Sequence, residues 1–202
     1  MKTVLVCVCF VFFLSETFGQ LVRRVDYDAA FALQAGGNTG VLLPPGNTGM
    51  CIQPWGGLKM TFPFTRKWFL GMEINYGQLK FRRSNKTDDN QGKLKLNADL
   101  QQLEFPVYLK YMLNCNKASV LFGFYGNYIQ DASSVPVNRW NGGVTLGYEH
   151  RIVKHLNIMC RMDAGVRDLM PREYVRNKHQ IPVSVCLGIS YDIFRIGDCE
   201  CD

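Results

Sequence analysis

The chain has 202 residues, room for one domain with a sizeable core, and a formal net charge of +6. Its cations are scattered, with short pairs such as Arg23-Arg24 and Arg82-Arg83 and no basic stripe, so no continuous basic track interleaved with aromatics marks a nucleic-acid binder. A mean hydropathy of −0.07 is what alternating strands produce whether their apolar faces meet lipid or a soluble core, and it excludes neither.

The first residues differ from the rest. Lys2 precedes an apolar run over 4–14, which is followed by Ser15-Glu16-Thr17-Phe18-Gly19-Gln20. This pattern predicts a cleaved signal peptide over 1–19, leaving a mature domain over 20–202. The run is too short to cross roughly 30 Å of hydrocarbon as a helix. Cys7 and Cys9 lie inside it with no small-residue box before a boundary cysteine, which favours ordinary cleavage over lipid modification. No later window resembles a transmembrane helix, so the exported chain is either a soluble β-protein or a membrane barrel.

From residue 27 onward the sequence alternates with period two, which predicts strands. Eight are expected, over 27–36, 51–62, 68–81, 98–113, 118–129, 140–151, 156–168 and 181–194. The third shows the pattern plainly. Trp68, Leu70, Met72, Ile74 and Tyr76 share one face, and Gly71, Glu73, Asn75 and Gly77 the other. The connections alternate in length. Long polar or Gly/Pro-rich segments over 37–50, 82–97, 130–139 and 169–180 are separated by short turns over 63–67, 114–117 and 152–155. One end of a transmembrane barrel carries tight turns and the other longer loops, and a tilted strand needs about 9–11 residues to cross hydrocarbon. The expected fold is therefore all-β, an eight-stranded antiparallel up-and-down transmembrane β-barrel. Its strands run over about 27–194, and a short periplasmic tail over 195–202 follows.

In such a barrel the polar face points inward. The inward charged set is Lys59, Glu73, Glu104, Lys110, Glu149, Arg161, Asp163 and Arg167, four acids and four bases. Buried charges must pair, so this balance predicts an interior network that plugs the barrel and leaves no pore. Trp55, Trp68, Tyr76, Trp140, Tyr148 and Tyr191 lie near strand ends and are expected to form the aromatic girdles at the two interfaces. Pro54 and Pro106 interrupt this regularity, because each removes a ladder donor, and local bulges or disrupted pairing are expected there.

Six cysteines remain after cleavage: Cys51, Cys115, Cys160, Cys186, Cys199 and Cys201. Cys160 and Cys186 sit within strand-like runs where a small apolar residue also fits, which argues against a dense disulfide framework. The terminal Cys199-Glu200-Cys201 has no partner at zinc-site spacing.

The stretch Leu103-Glu104-Phe105-Pro106-Val107-Tyr108-Leu109-Lys110-Tyr111 resembles the central strand of the PorT-like outer-membrane β-barrel family. Leu121-Phe122-Gly123-Phe124-Tyr125-Gly126, Gly142-Gly143 with Gly147-Tyr148-Glu149, and Arg161 with Gly165 are similar to later strands of that family. Gly188-Ile189-Ser190-Tyr191-Asp192-Ile193-Phe194 resembles its closing strand. The resemblance covers most of the mature chain and implies a small barrel of the OmpA/OmpX type. It implies no single activity, although PorT itself is linked to protein secretion. It also makes Phe194 the terminal aromatic read by the barrel-assembly machinery, although Arg195 to Asp202 follow it here.

Catalytic signals are sparse. His179 and Ser184 make the one pairing from which rim hydrolase chemistry could be built. No Gly-x-Ser-x-Gly, no His-Glu-x-x-His and no phosphate-binding glycine loop occurs. His155 falls in a short turn and His150 near an interface. The reading is a non-enzymatic protein of the outer membrane of a Gram-negative-type bacterium, with no cofactor and no metal. Its partners are outer-membrane lipid, the assembly machinery during biogenesis, and an envelope or extracellular protein at the long loops. An accessory role in a secretion or transport machine and a rim lipid-modifying hydrolase are the alternatives.

Overall fold

A computed structural model describes residues 29–43, 48–49, 51–65, 67–83, 97–113, 117–132, 137–168 and 181–196. Eight strands carry the architecture: β1 Ala29–Leu43, β2 Gln53–Pro63, β3 Trp68–Arg83, β4 Asn97–Met112, β5 Ala118–Ala132, β6 Trp140–Val153, β7 Leu156–Gly165 and β8 Ile181–Ile196. Each pairs antiparallel with its neighbours in sequence, and β8 pairs with β1 from Ala29↔Ile196 to Leu43↔Ile181, which closes the sheet into a barrel. A two-residue piece, Thr48–Gly49, adds to the outer end of β3 opposite Arg83 and Arg82. Closure matters physically because it leaves no free row of backbone donors and acceptors along the wall.

The strands follow the alternation, and their ends show where local composition misleads. β1 continues to Leu43 through Gly37-Asn38-Thr39-Gly40, a stretch whose glycines and asparagine read as a loop. Its register with β8 is continuous from Ala32 onward, so the ladder supplied by closure overrides weak local strand preference. β7 stops at Gly165, short of the expected 168. Pro106 faces inward, and beside it the β3–β4 ladder lapses at Glu73 and Ile74, resuming at Asn75↔Glu104 without a change of register. Pro54 produces no bulge. It pairs with Gly37 of β1, and pairing with β3 begins one residue later at Trp55↔Gly77, where its missing donor has no ladder to break. Register shifts fall elsewhere, between Phe31/Ala32, Gln101/Gln102 and Arg151/Val153.

The signal peptide expected over 1–19, the tail after Ile196 with Cys199 and Cys201, Cys115, and most of the long loops lie outside the described residues. Cys51, Cys160 and Cys186 are free thiols, and Cys160 faces outward while Cys186 is buried inward.

Candidate functional site

The faces of the wall are inverted relative to a soluble sheet. Phe124 is 66 % exposed and Leu187 58 %, and Leu33, Leu58, Ile74, Val107, Leu109, Phe122, Val144, Leu146, Ile158 and Ile189 are exposed with them. The interior holds Arg161 at 1 % exposure and Asp163 at 0 %, together with Lys59, Glu73, Glu104, Lys110 and Glu149. Alternation alone cannot decide which face points in, but these burials do.

Inside, β7 places Arg161 at the centre of three carboxylates. Its Nη1 donates to Glu73 Oε2 at 2.6 Å, its Nε donates to Asp163 Oδ2 at 3.1 Å, and its Nη2 donates to Glu104 Oε1. Further donors reach two of the same carboxylates, Glu73 and Asp163. Tyr108 donates its hydroxyl to Glu73 Oε1 at 2.6 Å, and Gln34 and Asn75 each donate to Glu73 Oε2 at 2.9 Å. Thr145 donates to Asp163 Oδ1 at 2.5 Å. Nearer the short turns, Glu149 accepts from both Lys59 and Lys110, the latter at 2.6 Å. A third group joins Asn157 to Ser190 and Asp192, each at 3.3 Å. Apolar side chains close the polar layer at both ends, with Leu79, Leu100 and Ile129 toward the long loops and Phe69 and Met112 toward the short turns. A small polar recess remains below Glu149, lined by Lys59, Thr61, Lys110, Arg151, Asn157 and Asp192.

Two expected assignments are corrected. Arg167 is exposed and lies beyond the end of β7, so the alternation used to place it inward no longer applies there. Trp55 is buried at 6 %, inside the wall instead of in a girdle. It shares the phase of Lys59 and Thr61 on β2, and its indole lies over Gly188 of β8, where an added Cβ would meet the ring at 2.7 Å. The missing side chain at Gly188 gives the indole its space. Sequence reasoning passed over Gln34, Tyr108, Thr145 and Asp192 as network members. Their strand phase was the available signal, since Tyr108 and Asp192 alternate in step with Glu104 and Ser190.

Outside, Trp68, Tyr76, Trp140, Tyr148 and Tyr191 are all exposed. Trp68 packs on Tyr111 and Trp140 on Tyr128, each pair with ring centroids 4.8 Å apart. Trp68 and Tyr76 on β3, like Trp140 and Tyr148 on β6, are separated by eight residues. On tilted strands that spacing corresponds to roughly 20 Å along the barrel axis, close to the height of the apolar band of a membrane barrel. Of the one candidate pair for rim hydrolysis, Ser184 is half-buried on β8 opposite Gly40 and Asp163, and His179 lies outside the described residues. The described histidines, His150 and His155, sit at the opposite, short-turn end.

A comparison with curated protein sequences found no match. Among solved structures, the chain is similar to Ail, the attachment invasion locus protein of Yersinia pestis. Identity is 11 %, over 82 % of this chain and 98 % of that one, with a TM-score of 0.43. Neisserial surface protein A (NspA) matches at 7 % identity over 82 % of this chain and 97 % of that one, with a TM-score of 0.40. The family model described as the outer membrane protein beta-barrel domain matches residues 30–196, the whole of the closed barrel. With the inverted faces and the two aromatic belts already in place, this match establishes that the chain belongs to the outer membrane beta-barrel domain family.

Proposed function

We propose that this protein is a non-enzymatic resident of the outer membrane of a Gram-negative-type bacterium, with a plugged interior and its working surface on the long loops. In this reading residues 1–19 direct export and are removed. The barrel-assembly machinery inserts the mature chain, with the exposed Phe194 of β8 as the terminal aromatic, and the short turns face the periplasm. The role is structural in the envelope, or binding of an envelope or extracellular protein through the loops. Within the family we place the chain with the PorT-like branch, on the motifs at 103–111 and 188–194.

The observation that carries this reading is the Arg161 cluster. A guanidinium and three buried carboxylates fill the middle of the barrel, while leucine, isoleucine and phenylalanine cover the outside. A channel would need a solvated lumen, and a soluble barrel would bury its aliphatic face. The charged interior residues serve one another as counter-ions, which supports a supporting role for them and leaves specificity to the loops.

Membrane fractionation followed by gel migration with and without heating tests the proposal. The protein is expected in the outer-membrane fraction, with an unheated form that migrates faster than the heated one, and to leave sugar-loaded vesicles impermeable. Recovery in the soluble periplasmic or secreted fraction would overturn it.

A further inference from the structure

The three short turns share a composition that plugging the barrel does not require. Each places an exposed apolar residue beside an exposed lysine: Phe64 with Lys67, Leu113 with Lys117, and Ile152 and Val153 with Lys154. Backbone hydrogen bonds join the turns into one arc. Met112 N donates to Lys67 O at 2.8 Å, Arg151 N to Lys117 O at 2.7 Å, and Asp192 N to His155 O at 2.8 Å. The aromatic belt lies directly above, with Trp68 packed at a tilt against Tyr111 and His155 near Tyr191. Among the described residues, the acids at this end are Glu149 and Asp192, and both are buried. The opposite end is mixed in sign, with Lys80 paired to Asp99 and with Arg139, Arg167 and Asp168 nearby.

We infer that this rim is a docking surface for anionic phospholipid headgroups of the periplasmic leaflet. The inference rests on the orientation proposed above. The chemistry is complementary at each turn. A phosphate diester meets an ammonium at the headgroup level, and the neighbouring apolar side chain reaches the glycerol and upper acyl region. Three such turns along one arc make an annulus selective for charge, where isolated surface lysines would be screened individually.

Trp68 reports on the rim, so a Trp140→Phe background leaves it as the lipid-facing tryptophan, with Trp55 inside the wall. The protein is reconstituted in phosphatidylcholine vesicles containing either brominated phosphatidylcholine or brominated phosphatidylglycerol at equal mole fraction, and quenching of tryptophan emission is compared. The inference expects phosphatidylglycerol to be favoured by at least about five-fold, the attraction of a single lysine to an anionic surface. It expects that preference to fall to near unity in Lys67→Gln/Lys117→Gln/Lys154→Gln, and to shrink in high salt. Equal quenching by the two lipids in the parent, or a preference that survives in the triple variant, would overturn it while leaving the barrel in the membrane. Absence of quenching by either lipid would overturn the membrane reading and the rim with it.

Discussion

Arg161 and Glu73 stand 88 positions apart in the chain and meet at 2.6 Å inside the barrel, β7 reaching across to β3. Both side chains are buried, and Glu104 and Asp163 complete the ring of acceptors around the same guanidinium. A buried ion group of this kind contributes little net stability against a well-packed apolar equivalent, but breaking it is costly because an uncompensated charge is left behind.

Arg161→Met is therefore expected to destabilise the folded barrel by about 3–5 kcal/mol, read as the midpoint shift of urea unfolding in vesicles followed by tryptophan emission. Adding Glu104→Gln to that variant should recover part of the loss, because one stranded carboxylate is removed. Additive losses in the double variant would show that the two residues do not share one network.

Glu149 holds Lys59 and Lys110 together, so Glu149→Gln leaves two buried ammonium groups facing each other without their shared counter-ion. The expected cost is again about 3 kcal/mol or more. The exposed pair Lys80–Asp99, at 3.5 Å, supplies the contrast. Lys80→Gln is expected to change stability by less than about 1 kcal/mol, since water screens that pair in both states. Equal effects at the two sites would contradict the placement of Glu149 in the buried interior of the barrel.

Tyr108 can reach Glu73 because Gly71 leaves room for its ring. A Cβ added at Gly71 would meet ring carbon Cε2 of Tyr108 at 2.1 Å. Gly71→Ala should thus cost about 1–3 kcal/mol through overpacking, and the penalty should diminish in a Tyr108→Leu background. The readout is a double-mutant cycle on unfolding midpoints. An undiminished penalty would place its cause in the strand backbone and not in this contact.

Much of this arrangement was legible in the sequence, and the failures have specific causes. Period-two alternation and turn length locate eight strands, with ends within a few residues except at the far end of β1, because each strand carries its own pattern. Lys59, Glu73, Glu104, Lys110, Glu149, Arg161 and Asp163 share the inward phase for the same reason. Arg167 fails because phase is meaningful only while the strand lasts, and β7 ends at Gly165. Trp55 fails because residue type was weighed above phase, whereas its position in step with Lys59 put it inside. The stretch from Gly37 to Leu43 fails because pairing to β8 is a property of closure and not of local composition. Which charges meet is also set by closure. Nothing in the neighbourhood of Arg161 names Glu73, on a strand far across the barrel, as its partner.

The orientation of the wall makes the sharpest prediction, at Val144. It stands four residues from Trp140 and four from Tyr148, midway between the two aromatic belts, and pairs with the exposed Phe124. On a soluble protein an exposed valine replaced by arginine changes stability by less than about 0.5 kcal/mol, because the new side chain is simply hydrated. At the midplane of a bilayer the same guanidinium must be withdrawn from water with no partner, and the cost is about 2–4 kcal/mol. Nearer a belt the charge can reach the headgroups, so Tyr148→Arg should cost about 1 kcal/mol or less from charge burial. Unfolding of both variants in vesicles should give this depth dependence, steep at Val144 and shallow at Tyr148. A flat response at the two positions would place the apolar face in water and remove the physical basis for a membrane barrel.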